Sequence, residues 1–107
     1  RSYCEQVFAA HGIHDRFVQC NLSYNTRRGT LRGMHYQLPE FTESKVVRCI
    51  AGAVFDVAVD LKLASASYKR WFGARLDAEN RDSLYLPPGV AHGFITLSDD
   101  AELFYLM

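Results

Sequence analysis

An all-β sandwich or barrel with at most one short helix is the fold class the sequence predicts, and three observations point to it. From Lys45 to Met107 the chain is a succession of short β-branched and aromatic runs cut by turn residues at close intervals, the pattern of antiparallel strands that pack face to face or close on themselves. Hydrophobic residues make up 49% of the 107, sized for one compact domain rather than two. No long helix fits between the runs.

In chain order, Cys4–Gly12 is the only helical candidate: Val7 and Phe8 fall three and four residues after Cys4, and Gly12 supplies a C-terminal stop. Val46–Ile50 and Ala53–Leu61 flank Ala51-Gly52 and are predicted to form a hairpin. On the second of these strands, alternation puts Phe55, Val57, Val59 and Leu61 on one face and Val54, Asp56, Ala58 and Asp60 on the other. The face with two carboxylates is expected to look into a solvated cavity or outward to water. Further strands are predicted at about Trp71–Leu76, Ser83–Leu86, Gly93–Leu97 and Glu102–Leu106. Turns at 79–82, 87–89 and 98–100 separate them.

Charge narrows the function classes. Lys+Arg and Asp+Glu are both 12, so the formal net charge is zero, without the basic excess of a nucleic-acid-binding surface. No apolar run approaches the roughly 20 residues of a membrane span, and Arg1-Ser2-Tyr3-Cys4-Glu5 is unlike a signal peptide. A soluble, cytoplasmic protein with no nucleic-acid or membrane partner is expected. Cys4, Cys20 and Cys49 are widely spaced with no Cys-x-x-Cys pair and read as ordinary thiols. The chain starts without methionine and ends in the apolar run 101–107, as an excerpt of a longer protein would.

Three stretches carry polar residues that a plain barrel does not require: Leu31–Gln37, Lys45–Asp60 and Pro87–Phe94. In the first, strict alternation puts His35 with Gly33 and Gln37, and Arg32, Met34 and Tyr36 on the opposite face. The third, Pro87-Pro88-Gly89-Val90-Ala91-His92, closes a loop and opens a strand in a Pro-x-Gly-x-x-His pattern. It resembles the second motif of the cupin superfamily, a double-stranded β-helix or jelly-roll barrel. Metal-binding cupins pair that histidine with a His-x-His and a glutamate in an earlier motif. Here His35 is followed only by Tyr36-Gln37, so no metal is expected.

A fuller match is carried by Leu31-Arg32-Gly33-Met34-His35-Tyr36-Gln37, by the run from Lys45 to Asp60, by Leu76-x-x-Glu79-Asn80, by Pro88–Phe94, Leu97-Ser98 and Ala101-Glu102, and by Tyr105. In order and spacing, from about Phe17 to Tyr105, these closely resemble the dTDP-4-dehydrorhamnose 3,5-epimerases. That family inverts carbons 3 and 5 of a dTDP-linked 4-keto-6-deoxy sugar, and the resemblance implies the same substrate class and no cofactor. Both carbons flank a ketone. A base must remove a proton, a group must stabilise the enolate oxygen, and an acid must reprotonate from the opposite face. Imidazole suits the base, its ordinary pKa of about 6.5 leaving the neutral form abundant near neutrality.

By the same resemblance, His35 matches the catalytic base, Tyr105 the proton donor on the other face, and Lys45 the cation near the keto oxygen. Arg32 and Gln19 match nucleotide or diphosphate positions, an arginine being suited to phosphate through its planar donor pairs. His92 matches a second active-site histidine lining and orienting the pocket, and Gln37 and Asp56 complete the substrate-binding set. A homodimer is implied too. The bland alternatives stand beside these roles: Tyr105 as a barrel-filling aromatic, Lys45 and Arg48 as edge-strand charges, His92 as structural, Asp56 and Asp60 as strand-end carboxylates.

The family's base is completed by an aspartate beyond the tyrosine, and its N-terminal acidic-Arg-Gly segment reaches the neighbouring subunit. Neither falls within 1–107, so the chain reads as one cupin barrel incomplete at both ends. Cys20 stands where aspartate is common, and the loop Leu38–Ser44 is more acidic than usual, leaving the sugar and nucleotide open. Two alternatives remain: a related sugar-nucleotide 3-epimerase or keto-isomerase, or a non-catalytic sugar-nucleotide-binding cupin.

Overall fold

The computed structural model describes residues 1–107. A short helix α1 (Glu5–Ala10) precedes eight strands: β1 (Cys20–Asn25), β2 (Leu31–His35), β3 (Lys45–Ala51), β4 (Ala53–Asp60), β5 (Trp71–Asp77), β6 (Ser83–Leu86), β7 (Val90–Thr96) and β8 (Ala101–Leu106). Two four-stranded antiparallel sheets result, ordered β1-β8-β3-β6 and β2-β7-β4-β5. They stack on a core to which the first contributes Val47, Cys49, Leu86, Ala101 and Leu103 and the second Val54, Leu76 and Phe94.

The hairpin expected across Ala51-Gly52 does not form. β3 pairs with β6 and β8, whereas β4 pairs with β5 and β7, so the two strands lie in opposite sheets and Gly52 makes an arch between them. A tight glycine turn serves a hairpin or an arch equally well, and the sequence-distant partners on both sides of each strand decide between the two. Gly52 has φ +69, and a Cβ there would clash with the Ser98 hydroxyl and lie 3.1 Å from the Ala101 Cα, so the arch needs glycine for conformation and for space. β3 is thus an inner strand, and Lys45 and Arg48 are not edge-strand charges. Arg48 points outward and donates from Nη1 to the Ser2 Oγ at 3.0 Å.

On β4 the carboxylate-bearing face is the inner one: Val54 and Asp56 are wholly buried. Its apolar face turns outward, where Phe55 joins Leu31, Met34, Trp71 and Ile95 as exposed apolar side chains. The outer face of the other sheet is partly covered by the N-terminal segment. Tyr3 packs edge-on against Phe8 and Phe17, with centroids 5.0 and 5.4 Å apart, and the Tyr85 hydroxyl donates to Asp15. Desolvation, with the Asp15 bond, pushes Tyr85 up to about 12. No helix is long and apolar enough to cross a membrane.

Candidate active site

Cys49, Val54, Thr96 and Ala101 are packed away from solvent in the core, and the barrel also holds two adjoining cavities of about 340 and 260 Å³. His35, Lys45, His92 and Tyr105 line both. The larger also takes in Gln37 and Glu43, the smaller Ser23 and Arg32. Each position follows from strand alternation or from its interruption. On β3, Lys45, Val47 and Cys49 share the inner face, and on β8 Tyr105 follows Leu103 inward, opposite Val47.

β2 breaks the alternation. Arg32 pairs with Phe94 and His35 with His92, so three residues of β2 span two of β7. This bulge brings Arg32 and His35 onto the same inner side, where simple alternation had separated them. Here the backbones of Gly33 and Gly93 nearly touch: a Cβ on Gly33, which has φ +104, would lie 2.7 Å from the Gly93 Cα and 2.8 Å from the His92 carbonyl. Arg32 is held by its Nε–H donating to the Asn25 Oδ1 at 3.1 Å. Asn25, a buried polar side chain on β1, is a site-building residue that no sequence motif flagged.

His35 and His92 come from the β2-β7-β4-β5 sheet; Lys45 and Tyr105 come from the facing sheet. A ligand between them has an imidazole on one wall and a phenol and an ammonium on the other. This is the disposition that removal of a proton from one face and its return to the other requires. No three His, Cys, Asp or Glu side chains are grouped as a metal site needs. His11, from the N-terminal segment, lies 2.8 Å through Nδ1 from the Val7 carbonyl and is part of the end of α1.

The sequence and the fold both have counterparts among known proteins. The family model for dTDP-4-dehydrorhamnose 3,5-epimerase matches residues 1–107. The chain belongs to the dTDP-4-dehydrorhamnose 3,5-epimerase family. The enzyme of that name from Shigella flexneri is 49% identical over 105 residues, covering 97% of this chain and 58% of that one. Among solved structures, the Bacillus anthracis enzyme with TDP and PPi bound superposes with a TM-score of 0.97 at 39% identity, over 99% of this chain and 61% of that one. The Legionella pneumophila enzyme, in complex with dTDP-4-keto-L-rhamnose, gives 0.93 at 43% identity, over 99% and 56%. A 3'-monoepimerase from Streptomyces bikiniensis in complex with dTDP-quinovose gives 0.88 at 35% identity, over 99% and 54%. The barrel is therefore the cupin type, and the chain spans a little over half the length of the relatives it matches.

Gln37 reaches the wall of the larger cavity, and its Nε2 donates to the Glu43 Oε1 at 3.0 Å, tying β2 to the loop before β3. Gln19 lies on neither wall; its backbone pairs with that of Met107. Asp56 is not on the wall either, because it lies behind His92, whose Nε2 is 2.8 Å from the carboxylate. Cys49 is buried with its thiol directed at the Ala51 and Gly52 carbonyls, and burial pushes that thiol up, which makes it a poor nucleophile. Cys20 sits exposed on the edge strand β1.

Proposed function

We propose that the protein epimerises a dTDP-linked 4-keto-6-deoxyhexose at carbon 3, carbon 5 or both, through an enolate, in deoxysugar biosynthesis. His35 removes the proton α to the ketone. The Lys45 ammonium, on the facing sheet, favours negative charge on the keto oxygen. Tyr105 returns a proton from the other side. Arg32 and Gln19 serve the nucleotide diphosphate, Gln37 and His92 line and orient the sugar site, and the chemistry draws on no cofactor. The observation that carries this reading is the placement of imidazole and phenol on opposite walls of one cavity, within a chain that matches the epimerase family along its whole length. Two relatives whose structures hold a dTDP-sugar support the substrate class.

Incubating the intact protein with the keto-sugar nucleotide in heavy water tests it. Deuterium is expected at carbon 3, carbon 5 or both, together with inverted product; tight dTDP binding with no deuterium at either carbon replaces the enzyme with a binding module. Exchange confined to carbon 3 identifies a 3-epimerase. The reading also includes a cytoplasmic location and a homodimer, the latter supported by the exposed apolar side chains of Leu31, Met34, Phe55, Trp71 and Ile95 on one sheet face. Sedimentation of the intact protein as a monomer removes that part alone.

A further inference from the structure

Asp56 stands in the middle of β4, opposite Ala74 and Phe94 of the neighbouring strands, with its side chain wholly buried. His92 is its partner: Nε2 is hydrogen bonded to Oδ2 at 2.8 Å and lies 2.8 Å from Oδ1 as well, and no other group bonds either oxygen. Arg32 and His35 from β2, Lys45 from β3 and Tyr105 from β8 face the same cavity as His92, and none of them bonds Asp56. A carboxylate this deep cannot stay ionised beside a neutral ring without leaving a net charge in the core. Burial accordingly pushes the Asp56 carboxyl up, against the opposing pull of the His92 hydrogen bond.

Two net-neutral forms of the pair exist. In one, a carboxylate accepts from Nε2–H of an imidazolium, and Nδ1 also carries a proton. In the other, the carboxylic acid O–H donates to the Nε2 lone pair, and the single ring proton of neutral imidazole sits on Nδ1. Both forms leave an Nδ1–H. No protein group bonds Nδ1, and the ring lines both cavities.

We infer that Asp56 is a positioning residue that keeps His92 presenting an Nδ1–H donor to the cavity, where it shares with Lys45 the stabilisation of the enolate oxygen. The alternative form, carboxylate with neutral Nε2–H imidazole, turns Nδ1 into an acceptor, which repels that oxygen. The role on the enolate rests on the epimerase reading; the proton on Nδ1 does not.

Histidine side-chain nitrogen-15 spectra of the full-length protein near pH 7, without substrate, test it directly. His92 is expected to show a protonated Nδ1, and Asp56→Asn to lose that fixed signature, because an amide presents either its oxygen or its nitrogen to Nε2. Turnover in Asp56→Asn is expected to fall about 10- to 100-fold, with KM for the sugar nucleotide within about threefold. An unprotonated Nδ1 in the wild-type protein overturns the inference even if the variant fails to fold, and so does unchanged turnover in a folded variant. A protonated Nδ1 in a wild-type protein that exchanges no deuterium supports the Asp56 effect on His92 and overturns the epimerase reading instead.

Discussion

His35 and His92 are cross-strand partners on β2 and β7, yet only His92 has a carboxylate behind it. Asp56 is 2.8 Å from its Nε2, while His35 has an exposed ring with no acidic partner among residues 1–107. The two imidazoles therefore meet the cavity in different electrostatic settings. The buried ring is anchored from below by the carboxylate. The exposed one has no such anchor and meets the cavity directly.

His35→Ala is expected to abolish deuterium incorporation while leaving unfolding stability within about 1 kcal/mol, since an exposed ring contributes little packing. Solvent exchange paired with chemical denaturation checks this. Large destabilisation would reassign His35 to a structural role.

Tyr105→Phe keeps the ring packed on β8 and removes only the proton donor. The inverted product is expected to fall about 10²- to 10⁴-fold, the usual contribution of a positioned acid. Deuterium should still enter the sugar with its configuration retained, because His35 can return a proton to the face it came from. Nuclear magnetic resonance of the recovered sugar separates the two outcomes, and undiminished inversion would exclude Tyr105 as the acid.

Gly93→Ala tests the close approach of β2 and β7. The new Cβ would lie 2.8 Å from the Arg32 carbonyl oxygen and 2.9 Å from the Met34 Sδ, so β2 must shift. A loss of about 1–3 kcal/mol is expected from overpacking. Turnover should drop as well, because Arg32 and His35 move with that strand. A variant as stable and active as wild type would show that the strand yields freely.

Asp60 gives a pH signature unrelated to catalysis. Its carboxylate accepts hydrogen bonds from the Ser65 and Ser67 hydroxyls, both at 2.6 Å, and from the Lys62 amide at 2.9 Å, which holds it down to about 2. The folded value lies below the unfolded one of about 3.9. The contribution is thus present above about pH 4 and is lost as pH falls towards about 2. Urea midpoints should show Asp60→Asn less stable than wild type at pH 6, with the gap closing near pH 2. A gap independent of pH would mean that the three hydrogen bonds do not favour the ionised form.

Much of this was legible in the chain itself. Short apolar runs between turn residues marked β5 to β8 to within a few residues, because alternation and turn chemistry are local properties. The Arg-Gly-x-His and Pro-Gly-x-x-His motifs marked the two strands that bring the histidines. Asn25 left no such mark, since a single polar residue on a strand resembles any solvent-facing one until the fold buries it.

By itself the sequence determined an all-β barrel and the family it belongs to, and it marked the histidines, the lysine and the tyrosine that line the cavity, since each is written in spacing or motif. Only the tertiary structure decided that β3 and β4 part into opposite sheets, that the bulge in β2 turns Arg32 and His35 to the same side, and that Asp56 lies under His92. The physical reason is common to all three. Pairing register, the side a bulge favours and the depth of a carboxylate depend on strands tens of residues away, and no local pattern encodes which of those partners wins.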